Sequence, residues 1–265
     1  MKKNLVLKMA LLSVSTMLLL GGCKEKGIKT PVNEEVTILI AAASSLEYSL
    51  SNELIPLFEK EYPGIKVEGT YDSSGKLQTQ IEEGLEADIF MPASTRQMMS
   101  LEEKNLIDAD SVIKLIENKI VLITHAENMD KLTKFGDIIN SKTVALGDPE
   151  SVPIGQYAKE ALTTIGIWEE IKAKASFGTN VTEVLNWVAE GSADAGIVYS
   201  TDAATTDRVV VIAEAPEGSL SEKVIYPVGI VMASAKKEAA KKFIKFLESY
   251  EATGIFEKYG FLENR

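Results

Sequence analysis

Four segments of the chain place a turn of Ser, Thr, Asn or Gly directly before an amphipathic helix. They read AAASSLEYSL (41–50), YDSSGKLQTQI (71–81), GDPESVPIGQYAKEAL (147–162) and FGTNVTEVLNWV (177–188). None of the four puts a Lys, Arg or His at the turn itself. A helix start carries unpaired N–H groups and the positive end of the helix dipole, which makes it a ready site for an anion. One such turn is only a helix cap. Four of them in one chain predict a small oxyanion caught between helix ends.

Strands and helices alternate around these turns. Apolar runs predict strands at 36–42, 67–71, 88–91, 120–124, 143–146, 197–199, 209–212 and 224–232. Leu46, Leu50, Leu54, Leu57 and Phe58 recur at helical spacing, and Pro63-Gly64 stops that helix. Leu77, Ile81 and Leu85 mark a second helix, others follow at about 155–166 and 181–190, and a Lys-, Ala- and Glu-rich helix begins near 235. The alternation argues for α/β lobes with mainly parallel sheets. In such sheets ligands sit beyond the carboxyl ends of the strands, where these helices begin. Helix end, Ala-Asp, strand occurs twice, at 84–90 and at 191–199, a short echo of two similar lobes.

The chain has 265 residues and a formal net charge of −11. Nothing in it resembles the basic footprint that nucleic acid requires. An anion must therefore be held by local dipoles and not by global attraction. Met1-Lys2-Lys3 and the apolar run Leu5 to Leu20 read as a targeting segment, 1–22, too short for a membrane span. Leu20-Gly21-Gly22-Cys23, with the sole cysteine of the chain, resembles a bacterial lipoprotein cleavage site. That resemblance implies cleavage before Cys23 and a lipid on its sulfur. An ordinary secretory signal with an incidental Cys is the other reading. Residues 23–35 are polar and charged and read as a flexible tether.

The four turns and Gly196-Ile-Val-Tyr-Ser-Thr-Asp202 together resemble the periplasmic molybdate-binding proteins of ABC importers, from about Val36 to the C-terminus. AAAS-S-L, SSG-x-L-x-x-Q-I, AD-I-F, GDPE-x-VP-x-G-x-YAKEAL and GIVY-x-TD occur in family order. The resemblance implies a two-lobed, type II periplasmic-binding-protein-like α/β fold with the ligand in the interlobe cleft. Lobe 1 would comprise 36–118 with the return segment 227–265, and lobe 2 would comprise 119–226. Carried over position by position, the donors are the hydroxyls of Ser45, Ser74 and Tyr199 and the backbone N–H groups of Ile154 and Val181. A fully deprotonated oxyanion only accepts hydrogen bonds, so uncharged donors suit it. The implied ligand is molybdate or tungstate, with no separate cofactor or catalytic residue. The implied partners are a membrane permease and its ATPase subunit, with a lipid-anchored monomer on the outer face of the cytoplasmic membrane.

The sequence departs from the family pattern at Ser44, Asp72 and Ile154. Ser44 is a second hydroxyl, for the site or for capping. Asp72 would repel an anion and is expected to point away. Ile154 is large, and its side chain could narrow the rim. Ser45 and Ser74 also fit plain N-caps. Asn180 with Glu183 resembles a capping box, and Tyr199 fits a half-buried strand aromatic. Lys76 reads as solvated, His125 as structural, and Met91, Met98 and Met99 as core or rim. Sulfate or phosphate receptors are the near alternatives. Phosphate usually keeps one proton and calls for an acceptor, for which Asp72 and Asp148 are the candidates. A surface hydrolase would need a nucleophile with a base, and neither G-x-S-x-G nor H-E-x-x-H occurs.

Overall fold

The structure is a computed structural model that describes residues 35–127 and 132–264. Residues 1–34, with the targeting segment, Cys23 and nearly all of the expected tether, lie outside it. Among the described residues no helix is long and apolar enough to cross a membrane.

Two sheets organise the fold. The first has strand order β11-β4-β10-β3-β1-β2 and the second β7-β6-β8-β5-β9. The first sheet is built from β1 (Val36–Ala43), β2 (Ile65–Asp72), β3 (Ile89–Met91), β4 (Ile107–Asn118), β10 (Val224–Val231) and β11 (Leu262–Glu263). The second holds β5 (Ile120–His125), β6 (Val144–Gly147), β7 (Ala175–Gly178), β8 (Ala195–Tyr199) and β9 (Val209–Glu214). The chain crosses from the first sheet to the second at Lys119 and returns between β9 and β10.

The sheets are mixed and not mainly parallel. β1 runs parallel to β2 and β3, and β6 parallel to β7 and β8, but β4, β5, β10 and β11 pair antiparallel with their neighbours. β4, β5, β9 and β10 flank the two crossings, and β11 follows the last helix near the C-terminus.

Helices cover the sheets through their apolar faces. The helical run 44–61 opens with a 3-10 turn at Ser44–Leu46, continues through α1 (Glu47–Ser49) and a π-turn at Leu50–Leu54, and ends as α2 (Ile55–Glu61). Pro56 cannot donate to the carbonyl four residues back, which accounts for the wider turn before it. Leu46, Leu50, Leu54 and Phe58 are wholly buried by this run. α3 (Ser74–Glu82) and α4 (Thr95–Glu103) cover the opposite face of the first sheet, where Leu77, Ile81, Met98 and Leu101 pack on Ala41, Phe90 and Val231. The second sheet is covered by α5 (Pro153–Thr164), α6 (Trp168–Lys172) and α7 (Val181–Ala189). α8 (Ser200–Ala203) follows β8 directly. α9 (Lys237–Leu247) and α10 (Tyr250–Lys258) close the chain, with Phe243 edge-on to Phe58 at 4.9 Å.

Parallel register decides which turns become neighbours. Ala43 pairs with Asp72 at the ends of β1 and β2, so the Ser44-Ser45 and Ser73-Ser74 turns start side by side. Gly147 pairs with Gly178 at the ends of β6 and β7, so the starts of α5 and α7 are likewise adjacent.

Candidate functional site: a cleft of helix starts

One cleft gathers Ala43, Ser44, Ser45, Asp72, Ser73, Ser74, Ala93, Val152, Pro153, Ile154, Val181 and Tyr199. Ser45, Ser74, Ile154, Val181 and Tyr199 are all there, together with Ser44. Ser45 and Ser74 follow strands of the first sheet; Ile154, Val181 and Tyr199 belong to the second. The cleft is narrow, its two walls lying close together. Wider grooves lie elsewhere, about 290 Å³ behind Asn118–Lys119 and about 570 Å³ between β4 and α9. Neither brings several helix starts together.

Each wall offers donors for a stated local reason. Pro153 opens α5 and has no N–H, so Ile154 supplies the first amide of that helix. The α5 start lies tight against the end of β6, because Gly155 has no Cβ to strike the Gly147 carbonyl. Asn180 caps α7 by accepting the Glu183 N–H at 2.9 Å, which leaves the Val181 N–H free of that cap. The capping is real but incomplete as a box, since Glu183 reaches back to Thr179 N–H and hydroxyl. Ile154 is wholly buried and its side chain belongs to the main core.

The hydroxyls divide into partnered and unpartnered. Ser74 is the first residue of α3, and its Oγ accepts the Ala93 N–H at 3.0 Å, so its own proton remains available. Ser45 Oγ lies 2.9 Å from the Tyr226 hydroxyl. The Tyr199 hydroxyl and Ser73 Oγ are buried with no hydrogen-bond partner. These residues are 2 % and 3 % exposed, and they stand on opposite sides of the cleft. Burial holds the Tyr199 phenol well above its ordinary range, helped by the nearby Tyr226, so it is a neutral donor. Ser73 was not expected. It is the N-cap of α3 but makes no side-chain cap bond, a departure that no single-residue pattern signals.

Asp72 lines the cleft, yet its carboxylate is engaged. It accepts the Ser73 N–H at 2.7 Å and pairs with Lys76 Nζ at 3.2 Å. Lys76 is thus ion-paired at the rim and not simply solvated. Asp148 accepts from Glu150 N–H at 3.0 Å and from the Ser151 hydroxyl at 3.3 Å. His125 Nδ1 accepts the Glu127 N–H at 3.2 Å at the end of β5. Met91 and Met98 are core residues, and Met99 is half exposed. Asp202, behind Tyr199, is fully buried with Oδ2 unpartnered, and burial pushes its carboxyl up to about 8. No Lys, Arg or His lines the cleft among the described residues. The arrangement can hold a small, fully deprotonated anion through hydroxyls and amides; it has no nucleophile–base pair.

The family of bacterial extracellular solute-binding proteins matches residues 38–262. A Bacillus subtilis protein described as an ABC transporter substrate-binding lipoprotein is 37% identical over 249 residues, covering 94% of this chain and 95% of its own. The molybdate-binding protein ModA of Haemophilus influenzae is 36% identical over 257 residues, 95% of this chain and 98% of its own. Among solved structures, the substrate-binding domain assigned to a Clostridium difficile molybdenum ABC transporter superposes with a TM-score of 0.68 at 35% identity. It covers 87% of this chain and 100% of its own.

Proposed function

We propose that this chain, which belongs to the family of bacterial extracellular solute-binding proteins, captures molybdate or tungstate in the cleft and delivers it to the permease of an ABC importer. Cys23, acylated after signal removal, would tether it to the outer face of the cytoplasmic membrane. The relatives named for molybdate support the choice of ligand.

The observation that carries the reading is the pair of buried hydroxyls without partners, Ser73 and Tyr199, at a cleft lined by helix starts. A buried donor left unpaired is unfavourable by roughly 1–3 kcal/mol. A fully deprotonated tetrahedral oxyanion relieves both at once. Ser45, Ser74 and Tyr199 would donate hydroxyl protons, and Ile154 and Val181 backbone protons. Ser73 joins them from the first sheet, with Ser44 beside it. Both carboxylates that could accept a ligand proton, Asp72 and Asp148, are already hydrogen-bonded. A hydrogen phosphate would have to compete with the Ser73 N–H and Lys76 for Asp72 in order to place its own O–H.

Calorimetric titration of the purified protein with molybdate, tungstate, sulfate and phosphate tests this. Molybdate and tungstate bind tightly, and sulfate binds at least about tenfold more weakly, the equivalent of one good hydrogen bond that a smaller anion cannot reach. Equal affinity for sulfate and molybdate rejects the ligand assignment. Binding of none of the four rejects the oxyanion receptor.

A further inference from the structure

Ser45 does not stand alone in the cleft wall. Its Oγ lies 2.9 Å from the hydroxyl of Tyr226 on β10, and the Tyr226 oxygen in turn receives Asn118 Nδ2 at 3.2 Å. Asn118 closes β4 at the crossing between the sheets. Its amide orientation is fixed by chemistry: Oδ1 lies 2.8 Å from Lys119 N–H, a group that can only donate. The same oxygen accepts from the Ser200 hydroxyl at 2.9 Å. The two Nδ2 protons are then both spent, one on Thr201 Oγ1 at 2.9 Å and one on Tyr226.

We infer that Tyr226 is a positioning residue for anion capture, which with Asn118 fixes the direction in which Ser45 donates. Proton counting fixes the Asn118 end, while between Tyr226 and Ser45 either oxygen can donate, and the Tyr226-to-Ser45 direction is the inferred step. Asn118 donates to the Tyr226 oxygen. Tyr226, whose phenol is held neutral by burial, donates a hydrogen bond to Ser45 Oγ. Ser45, with a lone pair so occupied, is left with its proton for the cleft. The relay runs from the second sheet (Ser200, Thr201), through both crossing strands, to a hydroxyl on the first. Its members are shielded from solvent: Tyr226 is fully buried, and Asn118, Thr201 and Ser45 are buried.

Backbone geometry supports an aimed side chain. The β10–β4 register shifts between Tyr226 and Pro227, where Pro227 has no N–H for the ladder. Such irregularities re-aim the residue beside them. The Tyr226 ring is wedged edge-on against both Tyr199, at 5.6 Å, and Phe261, at 5.4 Å. The phenol therefore has little freedom to turn elsewhere.

The inference rests on the oxyanion reading and deepens it. Six proteins are titrated with molybdate: wild type, Tyr226→Phe, Ser45→Ala, Ser74→Ala, and the double variants that combine Tyr226→Phe with each serine change. Tyr226→Phe weakens binding by about 3- to 10-fold, the effect of one lost neutral hydrogen bond. In the Ser45→Ala background the same change has less than about a twofold effect, because the group it acts through is gone. In the Ser74→Ala background it keeps its full effect. Thermal unfolding without ligand separates any loss of fold from loss of binding, and the Ser74→Ala arm controls for it internally. An equal effect of Tyr226→Phe in the Ser45→Ala background overturns the relay and leaves Tyr226 a packing residue. Wild-type protein that binds no oxyanion overturns the proposed function and the relay with it.

Discussion

Removing the Ser73 hydroxyl has opposite consequences for the empty and the filled cleft. In the empty protein that hydroxyl is buried and unpartnered, so Ser73→Ala leaves thermal stability unchanged or raises it by up to about 1 kcal/mol. With molybdate the same change deletes a bond to a charged group, which lowers affinity by roughly 10- to 150-fold. Calorimetry and thermal unfolding on one preparation check both halves; unchanged affinity marks Ser73 as a leftover cap. Ile154 shows the reverse pattern. Its N–H survives any substitution, but its side chain is core, so Ile154→Val reduces stability by about 0.5–1.5 kcal/mol and leaves affinity alone. The four helix-start turns are legible in the residues themselves, but the five donors among them follow only from the family resemblance, since Ser before a helix fits a plain cap equally well. That Ser73 stands in the cleft beside Ser74 was not legible. Ser73 has extended dihedrals (φ −62, ψ 143) and Ser74 begins the helix, a difference of one residue that pattern reading does not resolve. Tyr226 was equally silent, since its partner Asn118 lies 108 residues away in the chain.

Two elements meet across the cleft mouth through backbone alone. The Gly75 N–H, in the first turn of α3, donates to the Ser151 carbonyl before α5 at 3.0 Å. A Cβ at position 75 would overlap that same carbonyl. Gln97 on α4 and Gln156 on α5 add a side-chain contact at 3.1 Å. Gly75→Ala therefore holds the helices apart: the closed form loses a hydrogen bond and gains a clash, while a form with separated helices is unaffected. Affinity for molybdate falls at least about tenfold, since a ligand stabilises closure only by its preference for the closed form. Unfolding without ligand stays within about 0.5 kcal/mol of wild type, as expected for a change away from the core. A small-angle scattering profile that still contracts with molybdate as in wild type would contradict this. The glycine was visible in SSG-x-L, but its need was not, because the carbonyl that requires it belongs to another element. Similar limits apply to the strands. The buried cores of β1, β6 and β8 read clearly as apolar runs. β4 did not, since Ile107–Asn118 carries Asp108, Asp110, Lys114 and Glu117 on a largely half-exposed surface. Its pairing to β10, not its composition, makes it a strand.

For the whole molecule, the proposed anion capture would run against the net charge of −11, which requires the cleft to stay free of further negative charge. Asp202 is the group that decides this at working pH. It is buried behind Tyr199 and Tyr226, whose phenols its proximity helps to raise, and it holds its proton up to about pH 8. An unfolded aspartate ionises near pH 4, so between about pH 4 and pH 8 the folded chain binds one more proton than the unfolded one. Stability from this group is therefore full below pH 4 and falls as pH rises, by about 1.4 kcal/mol per unit, until it levels off above pH 8. Asp202→Asn removes that slope: the variant gains stability over wild type at pH 8 and has no advantage at pH 4. Binding follows the same titration. Above pH 8 the wild type acquires a buried negative charge next to the cleft and molybdate affinity declines, while Asp202→Asn keeps its affinity to pH 9. Tyr199 and Tyr226 stay protonated throughout this window, since burial holds both well above pH 10, so they do not mimic the effect. Calorimetry at pH 6, 7, 8 and 9 on both proteins reads the difference. A parallel decline in the two proteins would place the titrating group elsewhere, and a rise in wild-type affinity above pH 8 would reverse the sign assigned to Asp202.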